Sequence, residues 1–181
     1  TSGALSSADS TLTRSLGSEN VDFRLRQTDA GLDKAVAGVP WLGMPIAELG
    51  KLDRVLVVGS FLRKDHPLFA QRLRQAAKHG TQISCIDCGA DDPLCPVQGR
   101  LTVTPGALPN AAAEVLVALA QATEQAVPDA FGAQEPSEEA KRIAASLASG
   151  ENVAVLLGNL AVASPQASLV ATDAQALAQA A

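Results

Sequence analysis

The sequence predicts an α/β fold: a doubly wound, mostly parallel sheet with helices on both faces. Residues 55–80 and 152–181 share one order of elements, namely an apolar strand, a glycine, a polar loop, a proline and a helix. Hydrophobic residues make up 47% of the 181 residues and aromatic residues only 3%, so Ala, Val and Leu must build the core. Such a core is typical of helices packed on a parallel sheet. The length suits one domain over residues 1–181.

The first half of the chain contains one complete strand–helix–strand unit. In chain order we expect a helix at 7–16 closed by Gly17, a strand at 20–23, a long loop at 28–43, a short helix from Pro45 to Leu49 and a strand at 55–58. Pro67 then starts a helix, because proline lacks the N–H that a first helical residue leaves unpaired. Its predicted apolar face is Leu68, Phe69, Leu73 and Ala76. Gly80 supplies the left-handed residue that ends it.

The second half continues the same alternation. We expect a strand at 83–86 ending at Asp87, a strand at 101–103, a buried helix at 108–126, a linker at 127–136, a helix closed by Gly150, a strand at 152–157 and a helix led by Pro165. Ser137 can cap the helix that follows it, since its hydroxyl oxygen can accept an amide hydrogen bond. Ligands of open parallel sheets bind where strand ends meet helix starts, so we expect a cleft between the loop Gly59 to His66 and the Gly158 turn.

Charge and hydropathy exclude two classes of partner. The net charge of −5 argues against nucleic acid, which requires a clustered basic surplus. The one basic cluster is best interpreted as a solvated helix face; it comprises Arg63, Lys64, Arg72, Arg74 and Lys78. No signal peptide and no apolar run of about 20 residues is present, so we expect a soluble domain without membrane insertion. A start at Thr1 without Met is consistent with a piece of a longer protein.

The cysteines superficially resemble a metal site. Cys85-x-x-Cys88 has Cys95 and His79 nearby. Structural zinc usually takes four ligands from two spaced pairs on turns, whereas Cys85 lies inside an apolar strand. We expect three free thiols and no metal.

The sequence signal for a catalytic site is equally weak. Ser60 with His66 could imitate a nucleophile and its base, but the nearest carboxylate is Asp65, adjacent to His66 in sequence. The simpler interpretation is a cap, in which the His66 ring or the Asp65 carboxylate accepts amide hydrogens at the helix start.

Three long segments resemble one known superfamily. They are LGSENVDFRLRQ at 16–27, LDRVLVVGSFLRKDHPLFAQRLRQAAKHG at 52–80 and VAVLLGNLAVASPQAS at 153–168. They are similar to molybdopterin oxidoreductases and, within that superfamily, to the large iron–sulfur subunits of bacterial NADH-quinone oxidoreductase (respiratory complex I). The resemblance implies one α/β domain from a larger subunit, whose iron–sulfur clusters lie outside this fragment.

The chain departs from active members of that superfamily at the metal-ligand motif. The resemblance sets it on a pattern similar to NVDxxxRxC followed by His, and Asn20, Val21, Asp22 and Arg26 agree. Thr28 falls at the metal-ligand position and Asp29 replaces the His. A neutral Thr hydroxyl is a poor ligand beside a thiolate.

The turn that corresponds to the superfamily's phosphate-binding turn also departs from the superfamily pattern. The superfamily turn is similar to GxNPxxxHP; Gly59, His66 and Pro67 fit, but Phe61 and Leu62 replace Asn and Pro. Asp87-Cys88-Gly89 stands where the superfamily has Asp-Pro-Arg. The resemblance therefore implies a degenerate cleft without pterin. Its vestigial candidate residues are Gly59, Ser60, Arg63, His66, Asp87, Gly158 and Asn159.

The favoured function is a non-catalytic domain of a respiratory complex. The resemblance implies other subunits as partners and a cytoplasmic location, on the peripheral arm at the inner face of the bacterial membrane. One alternative is a working pterin-dinucleotide half-site of a molybdenum oxidoreductase such as formate dehydrogenase, disfavoured by Thr28, Phe61 and Gly89. Another is a free-standing nucleotide-binding or hydrolase domain, which the missing glycine motifs and triad disfavour. Trp41 is expected to plug the emptied cleft or, as the alternative, to contact a partner.

Overall fold

A four-stranded parallel sheet forms the centre of the protein. The computed structural model describes residues 11–18, 29–35, 42–89, 92–125 and 135–181. The strands are β1 (Arg54–Val58), β2 (Gln82–Asp87), β3 (Gly99–Thr102) and β4 (Val153–Leu157), in the spatial order β3-β2-β1-β4. All three described strand pairs are parallel.

Helices cover both faces of this sheet. The helices are α1 (11–15), α2 (Leu32–Ala35), α3 (Leu62–Asp65), α4 (Pro67–Lys78), α5 (Leu108–Ala122), α6 (Glu138–Ala148), α7 (Asn159–Val162) and α8 (Ala167–Ala180), with 3₁₀ helices at Ile46–Lys51 and Pro105–Ala107. Alternate residues of each strand face opposite sides, so Leu56 and Val58 join the core under α5, α6 and α8. Val55 and Val57 join the core under α4. The predicted doubly wound α/β fold is confirmed.

The order of the strands places a switch point between β1 and β4. The chain moves outward from β1 through β2 to β3 and then returns to set β4 on the other side of β1. In register, Leu56 pairs with Ser84 of β2 and Val155 of β4. A reversal of this kind leaves the carboxyl ends of β1 and β4 side by side, where ligands of such folds bind.

Predicted helix boundaries at Pro67, Gly80 and Ser137 are confirmed, whereas the predicted apolar face of α4 and three predicted loops need correction. Pro67 starts α4, Gly80 follows it with φ +108°, and Ser137 caps α6 by accepting a hydrogen bond from the Ala140 N–H at 3.3 Å. Leu68, in contrast, is 79% exposed and does not belong to the apolar face of α4. The predicted loop at 28–43 contains α2, the loop from Gly59 to His66 contains α3, and the polar loop after Gly158 contains α7.

Several sequence predictions fall outside the described residues. These are the strand at 20–23, the motif residues Asn20, Val21, Asp22, Arg26 and Thr28, the lone Trp41, and most of the linker at 127–136. They stay predictions.

Candidate functional site

The two glycine turns meet at the switch point. The N–H of Gly158 donates to the carbonyl of Val58 at 2.8 Å. A Cβ placed on Gly158 would lie 2.2 Å from the Cβ of Ser60, a distance that real atoms do not tolerate. The predicted placement of both turns at one edge of the sheet is therefore confirmed. The two turns, which were expected to flank a cleft, touch each other at this point.

The first turn of α7 is bonded to the β1 turn. The carbonyl of Gly59 accepts hydrogen bonds from the N–H groups of Leu160 at 2.9 Å and Ala161 at 3.4 Å. A Cβ on Gly59 would lie 2.7 Å from the backbone nitrogen of Ala161, and its φ of +62° also favours glycine. N–H groups at such a helix start can face an anion, but here the chain itself engages them.

The turn from β1 into α3 is closed by its own hydrogen bonds. The Phe61 N–H donates to Asp65 Oδ2 at 3.2 Å, and the Phe61 carbonyl accepts the N–H groups of Lys64 and Asp65 at 2.8 Å. Leu62 is only 9% exposed and packs in the core under α4. The predicted cap at the start of α4 is wrong in detail, because Asp65 caps its own short helix and His66 makes no side-chain cap bond.

Phe61 lies against Gly89 at the end of β2. Its Cε1 atom is 3.5 Å from the position of a Cβ on Gly89, and Lys64 Nζ is 5.7 Å from the centroid of its ring. Two of the positions that differ from the superfamily pattern therefore touch each other.

The carboxylate of Asp87 is engaged within the sheet. Asp87 is 7% exposed; its Oδ1 accepts a hydrogen bond from the Thr102 hydroxyl at 3.1 Å, and its Oδ2 lies 3.4 Å from Arg100 Nε. Both partners belong to β3, and Asp87 pairs in register with Thr102. Asp87 therefore ties β2 to β3.

Asp29 caps the long helix α8. Its Oδ2 accepts hydrogen bonds from the Ser168 N–H at 2.9 Å and from the Ser168 hydroxyl, while its Oδ1 accepts the Gly31 N–H at 2.8 Å. These bonds, led by the Ser168 hydroxyl, lower the pKa of Asp29. The two residues are 139 positions apart, so sequence analysis missed the pair. The only local signal was the Asp-x-Gly spacing, which favours a turn.

A mostly apolar cavity of about 660 Å³ lies beside the switch point. Its walls include Val57 and Leu156 from the sheet and Ala171 and Ala174 from α8. Three of the candidate residues line this cavity: Ser60, His66 and Gly158. The hydroxyl of Ser60 is buried, and no donor or acceptor among the described residues reaches it.

The other candidates are dispersed. Arg63 and Asn159 are exposed, and Asp87 faces Arg100 instead of the cavity. Gly59 lies next to Ser60 but is buried against α7. The candidate residues that line the cavity therefore provide one hydroxyl and one imidazole. None of the described lining residues is a carboxylate.

The three cysteines are free thiols. Burial raises the pKa of Cys85 to about 12, and it also raises the pKa values of Cys88 and Cys95. In the described ranges no group of three or more His, Cys, Asp or Glu side chains could hold a metal ion. The absence of bound metal stays a prediction.

Comparison with known families decides the relationship. The family model for molybdopterin oxidoreductases matches residues 5–180, nearly the whole chain. The chain belongs to the molybdopterin oxidoreductase family. Among curated proteins, none matches it significantly. In this molybdopterin oxidoreductase domain, the turn from Gly59 to His66 that resembles the family's phosphate-binding turn is the one in contact with Gly158. None of the helices in the described parts combines the length and apolar character needed to cross a membrane.

Proposed function

We propose that this molybdopterin oxidoreductase domain is non-catalytic and binds neither pterin nor molybdenum. We place it in the large iron–sulfur subunit of bacterial NADH-quinone oxidoreductase, where it contributes a folded support for its neighbours. Electrons from NADH reach quinone through iron–sulfur clusters elsewhere in that subunit and its complex. Its partners are the other subunits, and its location is the cytoplasmic peripheral arm of the complex.

The closed turn at the switch point is the observation that carries this proposal. A bound pyrophosphate requires backbone N–H groups that point at the anion and glycines that let it approach. Here the N–H groups of Leu160 and Ala161 point at the carbonyl of Gly59, and that of Phe61 points at Asp65. An anion at this turn would have to break these bonds and separate Gly158 from Ser60.

The side chains around the turn are also poorly suited to binding a dinucleotide. Phe61 covers Gly89, the position at which the superfamily pattern has Arg, so this turn lacks that cation. The carboxylate of Asp87 already accepts a hydrogen bond from Thr102 and faces Arg100. A dinucleotide therefore finds neither a free cation nor a free carboxylate among these residues.

The assignment to a respiratory subunit is supported by the resemblance of residues 16–27 and 52–80. The family match supports the superfamily over residues 5–180 and is compatible with either kind of member. The closed turn favours a member that has lost its cofactor over a working molybdenum enzyme.

Metal and pterin analysis of the full-length parent protein, purified in its native assembly, tests the proposal. We expect iron but no stoichiometric molybdenum, tungsten or fluorescent pterin oxidation product. A molybdenum-dependent formate dehydrogenase carried through the same procedure provides the positive control. Stoichiometric molybdenum or tungsten together with pterin would overturn the proposal and favour a working pterin-dinucleotide half-site.

The composition of the same preparation tests the assembly. We expect the parent protein to copurify with subunits that oxidise NADH and reduce quinone. Copurification with a formate-oxidising enzyme instead would contradict the assignment to NADH-quinone oxidoreductase.

A further inference from the structure

A mostly buried aspartate lies on the face of α8 that packs against α5. Asp173 is 5% exposed and follows Val170 by three residues and precedes Leu177 by four. Residues at these spacings share one side of a helix. Val170 and Leu177 belong to the same apolar cluster as Val115 and Leu119 of α5.

In the described residues, no hydrogen bond or ion pair reaches the carboxylate of Asp173. The described charged side chains on the elements packed against α8 lie elsewhere. On α5, Glu114 accepts a hydrogen bond from the Ser137 N–H, and Glu124 is exposed beyond the helix end. Lys34 on α2 is exposed, while β4 and α7 contain no charged residue. Asp173 therefore has no described cation to compensate its charge.

We propose that the contact between α8 and α5 is proton-sensitive: the neutral acid of Asp173 is accommodated in the apolar interface, and the ionised carboxylate draws α8 away from α5. Placing an unpaired charge among apolar side chains is far more costly than placing the neutral acid there. The helix therefore gains by exposing the carboxylate to water once the proton is lost.

The direction of the pH dependence follows from burial. Burial raises the pKa of Asp173 from 3.8 to about 6, so the folded chain holds this proton more tightly than the unfolded chain does. The contact is strongest at low pH and weakens as the pH rises through about 6. This behaviour is opposite to that of an aspartate stabilised by hydrogen bonds, such as Asp29.

A movement of α8 would also change the cavity. The helix contributes Ala171, Ala174 and Ala178 to its wall, on a different side from Asp173. The same helix packs on β4, which has one described neighbour in the sheet. Protonation of Asp173 is thereby linked to how closely α8 packs on β4.

Hydrogen exchange of the α8 amides at pH 5.5 and pH 7.5 tests the inference. After correction for intrinsic exchange, we expect the opening constant of α8 to rise about fourfold at the higher pH, since a pKa of about 6 in the folded chain and 3.8 in the open chain leaves only part of the change above pH 5.5. In Asp173→Asn the rise should vanish, because the amide has a similar shape and no titratable proton. Glu124→Gln, which removes an exposed carboxylate near the end of α5, should behave like the wild type. An equal rise in the wild type and Asp173→Asn would overturn the proposal.

A direct titration of the wild type needs no variant to fold. The side-chain carboxyl carbon of Asp173, followed by NMR, should titrate near pH 6. A midpoint near 4, as in an exposed aspartate, would overturn the proposal.

Discussion

The ring of Phe61 lies against Gly89, with its Cε1 atom 3.5 Å from the position that a Cβ on Gly89 would take. Phe61 follows β1 and Gly89 follows β2, so the contact joins the carboxyl ends of two neighbouring strands. A Cβ at position 89 would be in ordinary van der Waals contact with the ring, so a long side chain that extends in that direction would have to displace it. The two departures from the superfamily pattern are therefore coupled in space.

This contact predicts an interaction between two substitutions. Gly89→Arg should destabilise the protein when Phe61 is present and should cost less in Phe61→Asn, where the ring is gone. For residues in contact, we expect a coupling free energy of about 0.5–3 kcal/mol in a double-mutant cycle measured by urea unfolding. Strict additivity of the two changes would show that the ring moves aside freely.

Nucleotide binding at the closed turn should be weak. Because the turn amides are engaged, we expect GDP to bind the domain no better than the millimolar range, about −4 kcal/mol, in calorimetry. The Phe61→Asn, Leu62→Pro double variant restores the pattern residues, and proline is tolerated at the first position of α3. Its affinity measures how much of a binding turn remains. Micromolar binding by the wild type would refute the closed-turn interpretation.

The contact between Gly158 and Ser60 should be intolerant of one methyl group. Gly158→Ala places its Cβ 2.2 Å from Ser60 Cβ, so we expect a loss of about 1–3 kcal/mol in the free energy of unfolding, as overpacking usually costs. Gly106→Ala is the matched control, because nothing lies within 4 Å of its Cβ position. It should change the free energy of unfolding by about 0.5 kcal/mol or less. Equal effects in the two variants would contradict the described contact.

Removing the Asp29 cap should make α8 less stable in a pH-dependent way. Hydrogen bonds from Ser168 lower the pKa of Asp29 below 3.8, so its stabilisation is present above that pH and is lost as the pH falls further. We expect Asp29→Ala to lower the Tm at pH 7 and to differ less from the wild type at pH 3. Ser168→Ala keeps the backbone bond and should have a smaller effect. A Tm difference that is independent of pH would argue against the cap.

The three thiols should differ in reactivity. Only the thiolate reacts readily, and burial raises the pKa of Cys85 to about 12. Iodoacetamide at pH 8, followed by peptide mass spectrometry, should label Cys85 last, after the half-buried Cys88 and Cys95. Labelling in urea provides the control, since all three rates should then converge. Rapid modification of Cys85 in the folded protein would mean that β2 opens easily.

Features that depend on neighbouring residues were predictable. Pro67, Gly80 and Ser137 act within one turn of the helices that they bound, so their roles could be inferred from local patterns. Leu68 was misassigned although the information was local. At about 100° per residue, a position five residues before Leu73 points away from it, and Leu68 is accordingly exposed.

By itself, the sequence determined the α/β class, the strands with their glycine turns, and the edge of the sheet at which those turns meet. These follow from hydrophobic periodicity and from the conformations open to glycine and proline, which act over a few residues. Only the tertiary structure decided that Gly158 touches Ser60, that Phe61 covers Gly89, and that Asp29 caps a helix 139 positions away. Such contacts depend on how separate elements pack, because close packing in three dimensions brings together side chains that no local pattern relates.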